Sequence, residues 1–272
     1  GQESVVIHCA SIVTMNADFN QKLIDVNVGG TKNVIDICLK HSECKKMVYV
    51  SSTGAIPEQP KGTVIRETNQ FTPIDKSRQV GCYSQSKALA TQMVLDACRE
   101  CGLKACVVHP SGILGPKDYA VSETTGTVIQ IMNGKMPIAM GGSFNLCDVR
   151  DLAHGCVKAA DKGRIGECYI LGNKEVTLKE MCRILHKTSG CKTPYFYVPI
   201  NMAYKLANRM EKKARKTGEK PMITNFAVYN LARNNQFDYT KAERELEYHT
   251  RPYEETLRDE AQWLIAEGFI QN

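Results

Sequence analysis

Tyr83 and Lys87 stand four residues apart in Tyr83-Ser84-Gln85-Ser86-Lys87, and Ser52 closes the run Lys46-Met47-Val48-Tyr49-Val50-Ser51-Ser52. A phenol, an ammonium and a hydroxyl are the groups needed to move a proton on and off a reacting oxygen. Residues four apart share one face of a helix. The spacing therefore places the Lys87 charge beside the Tyr83 ring and predicts a phenol pulled below its ordinary pKa of about 10. A phenol tuned in this way serves as acid or base near neutral pH, which is oxidoreductase chemistry. Two positions taken alone are a weak signal, and an exposed aromatic beside a solvated lysine is the commoner meaning of such a pair.

The elements around these residues narrow the choice. Val5 to Ala10, Met47 to Val50 and Ala105 to His109 are short β-branched-rich runs that alternate with helical patterns. Continuous apolar strands separated by helices predict a parallel sheet covered on both faces. A helix is expected over roughly Asp18 to His41, with Gly29-Gly30 marking a close approach of another backbone. The Tyr83 helix continues through an apolar stripe of Leu89, Met93 and Ala97, which leaves Tyr83 and Lys87 at the stripe's margin, facing a cleft. Pro110 to Pro116 is too rich in Gly and Pro for a regular element and is expected to be a loop at a strand's carboxyl end, where ligands bind in open α/β sheets. Cys168 to Leu171 reads as a further strand. Thr177-Leu178-Lys179-Glu180 is a capping box, Thr240-Lys241-Ala242-Glu243 repeats it, and Pro252 suits the first turn of a closing helix with Leu257, Ala261, Leu264 and Ile265 on one face. No internal repeat is present.

Composition excludes several classes. A hydrophobic share of 43% and a charged share of 24% over 272 residues rule out a disordered or collagen-like chain. No apolar stretch approaches ~18 residues, so no spanning segment and no membrane partner is expected. Twelve cysteines scattered through apolar patterns read as reduced, mostly buried thiols of a cytoplasmic protein. Cys98-Arg99-Glu100-Cys101 lacks a second pair, His8 lies within a strand, and no metal site is expected. The net charge of +6 is modest and does not call for nucleic acid. The basic stretch Arg209 to Lys220 also carries Glu211 and Glu219, and reads as a solvated helix and loop. Asp151 opens a helical pattern and reads as a cap, not as half of an acid-base pair with Asp148.

With these motifs in order, the sequence resembles the extended short-chain dehydrogenase/reductase family, which belongs to the epimerase/dehydratase superfamily. The similarity is greatest to the dihydroflavonol-reductase-like and 3β-hydroxysteroid-dehydrogenase-like branch. Val6 to Ser11 resembles the family's fourth strand, and Asn27-Val28-Gly29-Gly30-Thr31-Lys32-Asn33-Val34 its Asn-Val-x-Gly-Thr-x-Asn-Val helix. Val48 to Ser52 resembles the strand ending in the catalytic serine, Tyr83 to Lys87 the Tyr-x-x-x-Lys, His109 to Pro116 the nicotinamide-side loop, and Asp148 to Ala153 the Asp-Val-x-Asp-x-Ala segment. The resemblance implies a Rossmann-type doubly wound parallel sheet with a smaller C-terminal α/β substrate lobe. Residues 1–114 and 145–172 would form the cofactor domain, and 115–144 and 173–272 the lobe. It implies NAD or NADP as cofactor, a small-molecule carbonyl or alcohol as substrate, and a homodimer among the admissible assemblies. Tyr83 would pass the proton, Ser52 would hold the reacting oxygen, Lys87 would bind the nicotinamide ribose, and Asn27 would support a relay water. The cofactor would lie against Ala10, Ser11, Asn27, Ser51, Tyr83, Lys87, His109, Pro110, Ser111, Gly112 and Ile113. Asn27 reads equally well as a structural amide.

One family element is missing: no Gly-x-x-Gly-x-x-Gly follows a strand anywhere. The expectation is that on the order of sixty residues, carrying the first strands and the phosphate-binding turn, lie outside this sequence. Their absence would weaken cofactor binding and bare an apolar sheet edge. Two alternatives accompany the reductase or dehydrogenase reading: a nucleotide-sugar epimerase or dehydratase, and a non-catalytic fragment or binding domain.

Overall fold

The structure is a computed structural model that describes residues 2–14, 16–218, 221 and 223–270. In chain order its elements are β1 (Ser4–His8), α1 (Gln21–Ile24), a π turn (Asp25–Gly29), α2 (Gly30–Lys40), β2 (Cys44–Val50), a 3-10 turn (Thr53–Ala55) and α3 (Cys82–Cys101). There follow β3 (Ala105–Pro110), β4 (Gly112–Leu114), α4 (Glu123–Met132), β5 (Ile138–Met140), β6 (Ser143–Asp148), α5 (Val149–Lys162), β7 (Cys168–Leu171) and β8 (Glu175–Thr177). The chain ends with α6 (Leu178–Ser189), β9 (Phe196–Val198), α7 (Ile200–Thr217), α8 (Asn225–Ala232), α9 (Thr240–Leu246) and α10 (Tyr253–Ala266). It divides into two compact units. The first is Gly1–Ser111, Arg150–Asn173 and Gln236–Thr250, and the second Gly112–Val149, Lys174–Asn235 and Arg251–Asn272.

The first unit is built on a parallel sheet of order β1-β2-β3-β7. Every residue of β3 and β7 is buried, as expected of strands covered on both faces. β1 is an edge strand whose Val5 and Ile7 remain exposed. His8 bonds Thr31 at 3.1 Å and lies 5.6 Å from the Tyr49 ring, a packed strand histidine. The core gathers Met47, Tyr49, Val107 and Ile170 from the strands with Ile35, Val94 and Leu95 from the helices.

Several local expectations change. The helix expected over Asp18 to His41 is broken into α1, a π turn and α2, and a Cβ added at Gly29 or Gly30 would meet nothing within 4 Å. No backbone approaches there; instead, the glycines end the π turn. α3 is not a one-sided amphipathic helix, because eleven of its 20 residues are buried while Leu89 and Met93 are only partly so. Its start is fixed by Gly81, whose φ of +89° suits only glycine.

The second unit holds the three-stranded sheet β4-β6-β8 and the two-stranded parallel ribbon β5-β9. Gly112 to Leu114, expected in a loop, instead forms β4 and pairs with β6; the ladder overrides the Gly-Pro composition at its two ends. The capping box at Thr177 is complete, with Glu180 N donating to Thr177 Oγ1 at 3.1 Å and Thr177 N donating to Glu180 at 3.0 Å. Its expected repeat at Thr240 is absent, since Thr240 lies inside α9, in the first unit, and its hydroxyl donates to Asp238. Asp151 is buried and is the third residue of α5, inside the first turn and not at the position before the helix.

Candidate active site

The register of the first sheet brings the sequence-predicted groups to one edge. His8 is opposite Tyr49, Val50 opposite Val108, and Pro110 opposite Leu171. Ala10, Ser52 and Ser111 therefore all follow the carboxyl ends of neighbouring parallel strands, the edge where such sheets bind ligands. Ala10 is exposed, and Ser11, Ser52 and Tyr83 are half-buried.

Tyr83 is the second residue of α3. Burial pushes its phenol pKa up, and the neighbouring Ser52 hydroxyl pulls it down by less, so the net shift is upward. This corrects the expected lowering by Lys87. The lysine is itself only 2% exposed and donates from Nζ to the Val50 carbonyl at 2.8 Å, with the Tyr49 ring centroid 5.1 Å away. Desolvation pulls Lys87 down to about 8, opposed by the Cys9 thiol. The upward shift keeps Tyr83 protonated at neutral pH.

Ser52 is held from two sides. Its Oγ accepts from Gly54 N at 3.1 Å, and its carbonyl bonds His109 Nδ1 at 3.0 Å. A Cβ on Gly54 would come within 3.1 Å of Ser84 Oγ and 3.4 Å of Ser52 Oγ, so a side chain there would crowd the serine. His109, expected against the nicotinamide, is fully buried in β3 and stacks on Phe71 at 5.4 Å. Burial brings it down to about 4, so the ring is neutral and acts through Ser52.

Asn27 lies in the π turn and is 1% exposed. Its amide accepts from Ile12 N at 2.7 Å and donates to Ile12 O and to Ser86 Oγ, each at 3.0 Å. Ser86 in turn donates to Tyr83 O at 2.7 Å. Asn27 therefore ties the segment after β1 to the first turn of α3. Ser51 points inward, its hydroxyl 2.7 Å from that of Thr91. Pro110 and Ser111 are buried, while Gly112 and Ile113 are exposed on β4 in the second unit.

Sequence reasoning missed the loop that leads from Ser52 to Tyr83. Gln79 donates to Ala55 O and Phe71 O at 3.0 and 3.2 Å, and Gln92 accepts from Phe71 N at 2.8 Å. Gln92, beside Met93 and Val94, was the available signal, because a buried amide must find partners; Gln79, after Lys76-Ser77-Arg78, gave none. A cavity of about 470 Å³ opens along this loop, lined by Ile56, Arg66, Phe71 and Arg78 among others.

The parallel sheet, with half-buried Ser52 and Tyr83 and buried Lys87 at its carboxyl edge, has the Rossmann-like fold of the short-chain dehydrogenase class. The chain belongs to the 3-beta hydroxysteroid dehydrogenase/isomerase family, which matches residues 1–162. It is 28% identical to a putative dihydroflavonol 4-reductase of Synechocystis sp., over 98% of this chain and 77% of that protein. It is 24% identical to sterol demethylase protein B of Methylococcus capsulatus, over 97% and 79%. The crystal structure of gox2253 superposes with a TM-score of 0.84 at 30% identity, covering all of this chain and 81% of the other. A dTDP-glucose 4,6-dehydratase of Bacillus anthracis in complex with NAD shares the fold, with a TM-score of 0.70 at 22% identity over 96% and 72%. The chain is thus a Rossmann-like enzyme of the short-chain dehydrogenase and epimerase/dehydratase superfamily.

Proposed function

We propose that this chain performs hydride transfer between a nicotinamide cofactor, NAD or NADP, and the carbonyl or alcohol carbon of a small molecule, with Tyr83 as general acid and base. The observation that carries this reading is the placing of half-buried Ser52 and Tyr83 at the carboxyl edge of the sheet, with the buried Lys87 bonded to Val50 of the strand that ends there. A nicotinamide group, when bound, supplies or accepts the hydride. The residues present suit such a group. The exposed turn at Ala10 and the half-buried Ser11 adjoin the Ser52 edge, and the Lys87 ammonium is held one helical turn from Tyr83.

In the reducing direction, the protonated phenol of Tyr83 gives its proton to the substrate oxygen. The Ser52 hydroxyl donates to that oxygen and stabilises the charge that develops there. Lys87 limits the charge left on the phenolate. His109 and Gly54 keep Ser52 in place, and Asn27, through Ser86, fixes the turn that presents Tyr83.

The test is Tyr83→Phe. Binding of NADH or NADPH, followed by nicotinamide fluorescence, should be retained, and turnover across a panel of ketones and secondary alcohols should fall at least ~100-fold, as loss of a general acid requires. Unchanged turnover would remove Tyr83 from the mechanism.

A further inference from the structure

We infer that the outward face of α7, in the second unit, is a docking surface for an anionic lipid bilayer. The inference stands apart from the hydride-transfer reading and uses none of its residues. α7 packs through the fully buried Ala203 and Ala207 against Met140, Val198 and Val228. At 100° per residue the opposite face carries Lys205, Arg209, Lys212 and Lys216, flanked by Lys213. All five are exposed, and none forms an ion pair among the described residues. The helix has six cations, Arg215 included, against the single acid Glu211, in a chain whose net charge is only +6. Glu211 sits on the packed side, where it accepts from Asn225 N at 2.7 Å and Asn225 Nδ2 at 2.8 Å. Glu219 and Lys220, the end of the basic stretch, lie outside the described residues.

Charge alone would suit any polyanion, and the apolar side chains beside it decide the occupant. Met202 and Leu206 are 55% and 38% exposed on α7, and by helical angle they border Arg209 and Lys213. The ribbon β5-β9 runs into α7 through Pro199. α7 covers its Met140 and Val198, whereas Ile138 and Phe196, paired with each other two residues earlier on the same ribbon face, remain 58% and 57% exposed. Met202 and Leu206 have nothing to bind on a phosphodiester backbone. Cations bordering exposed Met and Leu side chains on one helix face match a layer of anionic headgroups above an acyl boundary. Among the described residues no helix is long and apolar enough to cross a membrane, and the proposed contact uses only the α7 surface.

Co-sedimentation of the whole chain with vesicles tests this. Phosphatidylcholine vesicles containing roughly one third phosphatidylserine should bind it at low salt, and pure phosphatidylcholine vesicles should not. The triple variant Lys205→Glu, Arg209→Glu, Lys212→Glu should lower partitioning at least ~10-fold, and Leu206→Ser should lower it further at fixed charge. All four positions are exposed, and an unchanged melting temperature confirms the fold. No binding to the mixed vesicles, or equal binding by the triple variant, overturns the proposal. Tighter binding to a DNA duplex than to the mixed vesicles, lost in the same variant, overturns it in favour of a nucleic-acid surface.

Discussion

α3 and α7 are 20 and 18 residues long, and α3 carries one lysine where α7 carries four, yet they do opposite things with that charge. α3 has eleven buried residues, including Lys87, and its polar side chains find partners inside the protein: Lys87 on Val50, Thr91 on Ser51, Gln92 on Phe71. α7 has two buried residues, both alanines, and leaves its cations in water. A lysine withdrawn from water is expensive, is pulled toward neutrality and is held in one place. A solvated lysine keeps its ordinary charge and its freedom, and contributes to surface potential instead. The first kind of helix can position a reacting group, whereas the second can only attract a partner.

The largest effect expected from this contrast is at Lys87. Lys87→Met should cut hydride transfer ~100-fold or more and, at neutral pH, should stabilise the fold. The folded protein holds Lys87 at about 8, below its ordinary 10.5. Below about pH 8 both folded and unfolded chains carry the proton, and the burial penalty, roughly 3 kcal/mol, is fully present. Between those two values the unfolded chain binds more protons, so the wild type gains stability as pH rises. Urea denaturation of both proteins at several pH values should show the variant's advantage shrinking across that window, and an advantage independent of pH would contradict the buried charge.

A smaller effect separates the two helices directly. Val94→Ala in α3 should cost about 2 kcal/mol, and Lys213→Ala in α7 less than about 0.5 kcal/mol. Similar losses of stability at both sites would erase the distinction. The smallest effect concerns His109. In His109→Phe the Ser52 carbonyl loses its ring partner, the serine is freed to turn from Tyr83, and burial acts on the phenol with less opposition. The Tyr83 titration, followed by NMR of ring-labelled tyrosine against Tyr83→Phe as the assignment control, should move up. An unmoved midpoint would mean that Gly54 alone holds the serine.

Much of the scaffold was legible because it is local. The four strands of the first sheet, the capping box at Thr177 and the closing helix after Pro252 follow from runs of apolar residues and from pairs within four positions of each other. The misreadings share a cause. Gly112 to Leu114 became a strand because β6, more than thirty residues later, supplies its ladder. The Leu89 stripe misled because α3 is covered on more than one side by elements distant in sequence.

By itself the sequence determined that Tyr83, Lys87 and Ser52 belong to a parallel α/β enzyme, since their types, spacing and order survive without coordinates. Tertiary structure decided how they act. Lys87 turns to Val50, Asn27 reaches Ser86 and His109 braces Ser52, and those three bonds join residues 37, 59 and 57 positions apart. Burial then set the direction of the Tyr83 shift against the expectation from helical spacing. Charge and desolvation act through space, and a spacing rule counts only neighbours along one helix.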